Sequence, residues 1–307
     1  MSELLAGMAE ARQRFMDLVS DVRPELHRYC TRMTGSVFDG EDVVQDTLAK
    51  AWYALAEMDS PPPLRPWLFR IAHNTAMDFL RRYEHRYVDA VADMEVIADM
   101  TESYEQETRV PDGGRVEAAL KVFAVLPPVQ RSALALKDVL GLSLEETATT
   151  MGTSVAAVKG ALVRARANVA VASASRVSRA EAVDAARLRR YAELFNAHDW
   201  DALRSLFGEE TRLDLVSRLQ RVGQAASNYY TNYSEVAPRD GLRAEAGWVD
   251  GVAAIAVFRP ASGDRPAYFI RLKWRDDRLV QVRDFRYVPY IGVEATFAGF
   301  ASTGNED

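Results

Sequence analysis

Lys159, Arg164 and Arg166 follow closely after Thr153 and Ser154, inside a run from Thr147 to Ala180 that holds no Asp or Glu. Cations without neighbouring carboxylates suit phosphate neutralisation, and short hydroxyl side chains at a helix start suit hydrogen bonds to a nucleic acid. Asn74 and Asp78 stand four residues apart ahead of Arg81 and Arg82. Such a pair shares one helix face with charge close by. Asp39, Glu41, Asp42, Gln45 and Asp46 form a third, polar group on a helix whose face is available to a partner helix. His198, Asp214 and Asp284 are the acid–base candidates of the last third, but nothing in their spacing gathers them into one pocket, so no catalytic residue is assigned. The lone Cys30 has no CxxC run or Cys/His cluster around it, so neither a disulfide, a metal site nor a cofactor is expected.

The elements that must position these groups are legible in the spacing. Ser143-Leu144-Glu145-Glu146 is a capping box that predicts a helix from Leu144. Gly152 can end it, and Thr153 or Ser154 can cap a second helix from about Val155. In that second helix Val155, Val158, Leu162, Ala165 and Val169 share one face, leaving Ala156, Ala157, Lys159, Gly160, Arg164 and Arg166 nearer solvent. The pair reads as a helix-turn-helix. An earlier helix, opened by Asp39-Gly40-Glu41-Asp42, turns Val44, Leu48, Trp52 and Leu55 inward and Asp42, Gln45, Asp46 and Ala49 outward. Trp67, among Leu68 and Ile71, reads as a core aromatic, and His73 as a packed or surface side chain rather than a ligand.

The 307 residues are 48% hydrophobic and 27% charged with a net charge of -6, values of an ordinary globular protein rather than a disordered or fibrous one. An acidic chain is repelled by nucleic acid, so contact with DNA must come from local basic patches. No apolar run is long enough to span a bilayer and no signal peptide stands at the start, so a cytoplasmic protein without a membrane partner is expected. Residues 9–87 read as a helical domain. An acidic linker at 88–116 contains Pro111-Asp112-Gly113-Gly114. Residues 117–171 hold the helix-turn-helix, 172–183 form a small-residue joint, 184–296 a further domain and 297–307 a tail. In the further domain helices give way to strands. Asp250-Gly251 between apolar runs predicts a hairpin, Asp276-Asp277 a turn, and Tyr268, Ile270, Leu272 and Trp274 alternate with Phe269, Arg271, Lys273 and Arg275 as a strand with one charged side. The expectation is an α+β domain whose helices precede a curved antiparallel sheet.

Residues 39–52, 65–82 and 126–166, in this order, resemble the extracytoplasmic-function (ECF) sigma factors of bacterial RNA polymerase. The resemblance implies two all-α sigma domains. The helix holding Asp39, Glu41, Asp42, Gln45 and Asp46 would bind core polymerase. Asn74, Asp78, Arg81 and Arg82 would open and read the minus-ten promoter element, and Thr153, Ser154, Lys159, Gly160 and Arg164, with Arg166 beside them, the minus-thirty-five element. Residues 191–201 and 282–287 resemble the SnoaL-like α+β cone, which some sigma factors of the family carry fused at the C-terminus as a regulator in cis. The WLPEP-like and DGGGR-like linker runs and the NPDKL-like tail of one fused group are absent, although Asp112-Gly113-Gly114-Arg115 partly matches the second from another place.

The leading expectation is therefore a promoter-recruiting sigma factor whose partners are core RNA polymerase, promoter DNA and, by intramolecular docking, its own C-terminal domain. The alternative is a helix-turn-helix regulator with a ligand-sensing C-terminal domain that never joins polymerase. Tyr229, Tyr230, Tyr233, Trp248, Phe258, Tyr268 and Trp274 can line a cavity for an unidentified ligand or fill the core, and core is the default for such aromatics.

Overall fold

The computed structural model describes residues 2–58, 60, 62–92, 123, 126–172, 185–223, 226, 228–275 and 278–300. The chain divides into two compact units, Met1–Arg176 and Val177–Asp307.

The first unit opens with α1 (Ser2–Val19), α2 (Arg23–Thr34), α3 (Val37–Ala56) and α4 (Leu64–Ala92). Gly35 ends α2 in the left-handed conformation, φ 80°, with its N–H on the Thr31 carbonyl. Ser36 then caps α3 by accepting from the N–H groups of Phe38 and Asp39, so this helix starts two residues before the expected Asp39. Gly40 permits α2 and α3 to touch, because a Cβ there would lie 2.6–2.8 Å from Thr31 atoms. The helix α4 runs to Ala92, which corrects the linker boundary expected at 88. The rest of the acidic segment lies outside the described residues.

After it come α5 (Pro128–Leu134), a π-helical turn (Ala135–Val139), α6 (Leu144–Met151) and α7 (Val155–Ala172). These helices do not bury their apolar faces by themselves. Leu26, Tyr29, Met33, Val44, Phe69 and Ala72 from the first four helices join Ala133, Leu136, Val158 and Leu162 in one continuous core. Polar groups are buried at its centre: the Tyr29 hydroxyl lies 3.0 Å from His73 Nδ1 and 2.8 Å from Ser132 Oγ, and these last two are 2.9 Å apart. The buried Arg131 guanidinium donates to the carbonyl of Met33, near the end of α2, and to that of Leu126 at 3.0 Å. The first occupies a carbonyl in the last turn of α2.

The second unit contains α8 (Ala185–Asn196), α9 (Trp200–Ser205), β1 (Phe207–Leu215), β2 (Leu219–Val222), α10 (Tyr229–Asp240), β3 (Arg243–Val249), β4 (Val252–Phe258), β5 (Tyr268–Arg275), β6 (Arg278–Asp284), α11 (Ile291–Glu294) and β7 (Phe297–Gly299). One seven-stranded sheet has the order β2-β1-β6-β5-β4-β3-β7. The Asp250-Gly251 hairpin is present, with both residues at positive φ, 51° and 82°, as a tight turn between twisted strands requires. Three expectations are corrected. Strands β1 and β2 precede α10, β1 runs parallel to β6 rather than antiparallel, and the expected tail at 297–307 begins with β7, which pairs with β3. The parallel pairing follows from the crossover: β1 stands second from the edge, and the antiparallel meander from β3 to β6 returns its last strand alongside β1 in the same direction. The turn expected at Asp276-Asp277 lies outside the described residues. Leu194, Phe195, Tyr230, Tyr233, Ile255, Ile270 and Val282 belong to the core of this unit.

Candidate nucleic-acid interface

The helix-turn-helix is fixed by its ends. Ser143 Oγ accepts from the Glu146 N–H at 3.0 Å and Glu146 returns a carboxylate oxygen to the Ser143 N–H at 2.7 Å. The Ser143 hydrogen bonds, led by that from its backbone, hold the Glu146 carboxyl below the usual carboxylate range. Gly152 closes α6 at φ 62°, and Ser154 Oγ accepts from the Ala157 N–H at 3.2 Å to start α7. Val158, Ala161, Leu162 and Ala165 are buried, which leaves Thr153, Ser154, Lys159 and Arg164 exposed and Gly160 half-buried. These five residues share the outward side of one capped turn and helix. Arg166 is differently placed. Its guanidinium, though exposed, donates two hydrogen bonds of 2.8 and 3.1 Å to Asp138 of the π-helical turn, which draws it toward its own domain. Asn168 likewise donates to Gln130 at 2.8 Å. Sequence spacing missed Asp138 and Gln130, because each lies far from its partner in the chain.

On α4, Asn74, Arg81 and Arg82 are exposed and Asp78 is half-buried. Asp78 accepts from Arg81 and lies 4.0 Å from Lys50 of α3, whose ammonium also donates to Thr75 at 3.0 Å. Lys50 is a neighbour of this site that the sequence reading did not include. His73, one residue before Asn74, faces inward and is packed as expected. Burial lowers its pKa to about 4, so it is neutral.

The polar side of α3 separates into two parts. Asp46 is exposed, and Asp39, Asp42 and Gln45 are half-buried. Glu41 is fully buried, with its carboxylate 2.5 Å from the Arg23 guanidinium and 3.5 Å from Gln45 Nε2. This corrects its expected role in binding a partner, because a buried pair that joins α2 to α3 presents no face to one.

The acid–base candidates of the second unit do not converge. Asp214 lies beside Arg283 in the β1/β6 ladder and pairs with it at 3.1 Å, whereas Asp284, the next residue of β6, points to the opposite side of the sheet. Asp284 is fully buried, accepting from Tyr229 at 2.8 Å, Tyr233 at 2.9 Å and the Arg286 backbone N–H at 2.9 Å. Burial raises its pKa against the opposing pull of Arg286 and these donors. Tyr268 bonds Tyr233 and Tyr191 bonds Tyr230. The aromatics singled out at 229, 230, 233 and 268 therefore fill the core. His198 is exposed and stacks on Trp200 in the bend before α9. Among the described residues no group of three or more His, Cys, Asp or Glu is arranged to hold a metal ion, and no helix is long and apolar enough to cross a membrane.

Residues 18–86 match the model of sigma-70 region 2, and residues 117–169 that of sigma-70 region 4. The chain is 30% identical over 173 residues to the ECF RNA polymerase sigma factor SigM of Mycobacterium tuberculosis, a match that takes in 55% of this chain and 82% of that protein. The chain belongs to the ECF RNA polymerase sigma factors. SigG of the same organism is 34% identical over 226 residues, 66% of this sigma factor, which thus spans 61% of that relative's length. The crystal structure of the M. tuberculosis ECF sigma factor SigJ aligns with 88% of this chain and 95% of that one, at 20% identity and a TM-score of 0.35.

Proposed function

We propose that this sigma factor recruits bacterial core RNA polymerase to specific promoters and starts transcription there. Asp39, Asp42, Gln45 and Asp46 meet polymerase. Asn74, Asp78, Arg81 and Arg82 read the minus-ten element, and Thr153, Ser154, Lys159, Gly160 and Arg164 the minus-thirty-five element. The observation that carries this reading is the capped helix-turn-helix, whose α7 holds no acidic residue and exposes Lys159 and Arg164 within the region 4 match. The C-terminal domain regulates the sigma portion by docking on it, since fusion gives it a high effective concentration there. We assign it no catalytic step, because Asp214 and Asp284 lie on opposite sides of the sheet.

In vitro transcription with bacterial core polymerase is the test. Promoter-directed starts that depend on this chain support the reading. Specific DNA binding without them would leave a regulator that does not join polymerase. Truncation after Val171 addresses docking, and transcription equal to that of the full chain would sink it.

A further inference from the structure

The charged side of β5 lies outside the residues assigned above to promoter and polymerase. The sheet register sets Arg271 beside Arg283 and Lys273 beside Gln281 of β6, and β1 adds Arg212 beside Gln281 and Asp214 beside Arg283. Arg275 pairs in register with Arg278 at the hairpin end. The residues between them, Leu272, Val282 and Leu213, face the core on the other side. Toward β4 the outer side is closed, where α11 packs near β5 and Phe269 and Ala256 are fully buried. What stays open is the half formed by β2, β1, β6 and the far end of β5, with Arg212, Lys273, Arg275 and Arg278 exposed. Among the described residues, Asp214 on this face pairs with Arg283 at 3.1 Å and Glu210 with Arg275 at 3.3 Å.

We propose that this open sheet face binds the phosphate backbone of duplex DNA without reading its sequence. Alternate residues of a strand stand about 6.7 Å apart, so the row from Arg271 to Arg275 meets a continuous polyanion at several points. In a chain of net charge -6, a face so rich in cations is a local arrangement, not a consequence of composition. A second copy stacked on the same face would bring like charges together. Among the described residues, the large apolar side chain exposed there to an apolar partner is Val222 on the edge strand. The proposal shares its DNA partner with the function above but needs neither a promoter nor polymerase.

The test uses the full chain and a fluorescent duplex without promoter elements, titrated across salt concentrations. Arg212→Gln with Lys273→Gln lowers the salt slope by about 1.8, roughly 0.9 per lost contact, and weakens binding at 0.1 M salt by about tenfold or more. Arg212→Glu with Lys273→Glu weakens it further, and the neutral pair remains informative if the reversed pair melts early. Slopes and affinities equal to those of the parent, at an unchanged melting temperature, overturn the proposal. So does a result in which the variants lose only the binding of an added peptide of residues 89–117, which would assign the face to an acidic protein segment. Transcription measured in parallel keeps the two readings apart: a parent chain that cannot start transcription defeats the sigma assignment, while a lowered slope still supports the DNA-binding face.

Discussion

His73 is held neutral between Tyr29 and Ser132, and its depressed pKa has a sign that can be measured. The folded protein binds this proton less readily than the unfolded chain, so the stabilisation is complete above about pH 6.5 and is lost as the pH falls toward 4. Replacing His73 with Gln, which cannot become cationic, should flatten the decline in melting temperature between pH 6.5 and 4.5. A decline as steep as the parent's would place its origin in other groups. Glu41 offers a second contrast. Glu41→Ala leaves Arg23 buried without this carboxylate and should cost about 3–5 kcal/mol in denaturant unfolding. Asp42→Ala with Asp46→Ala should leave stability nearly unchanged while weakening affinity for core polymerase.

The elements are tuned by their ends as much as by their faces. Ser143→Ala removes the hydroxyl half of the α6 capping box and should cost about 1 kcal/mol of stability. Along α7, the two outward cations differ from the third. Lys159→Ala and Arg164→Ala should each lower the salt dependence of promoter binding by roughly 0.9 per lost phosphate contact. Arg166→Ala should leave that slope unchanged, since its guanidinium is committed to Asp138. Quantitative binding at three or more salt concentrations distinguishes the variants, and an equal loss for all three would return Arg166 to the interface.

At the scale of the molecule, the helices matched by regions 2 and 4 share one core in the first unit, and the second unit has a core of its own. Elements with a common core unfold together, so calorimetry should show two transitions. Truncation after Ala172 should remove one of them. Separate melting of the region 2 and region 4 parts would mean that the Tyr29–His73–Ser132 junction contributes little to their packing.

The helix-turn-helix was readable from the chain alone because capping boxes, glycine stops and 3.6-residue periodicity act over a few residues, and Ser143, Gly152 and Val158 each carry such a signal. The Asp250-Gly251 hairpin was readable for the same reason. Local signals could not place Glu41 against Arg23, Arg166 against Asp138, or Ser132 between Tyr29 and His73, since these partners meet only when distant helices pack. Nor could they reveal that β1 joins β6 in parallel, a pairing set by closure of the whole sheet. The sequence determined the apolar face and the capped ends of the helix-turn-helix. The tertiary structure decided which polar residues were left to a partner and which were already bound, because burial and ion pairing depend on neighbours that chain order does not specify.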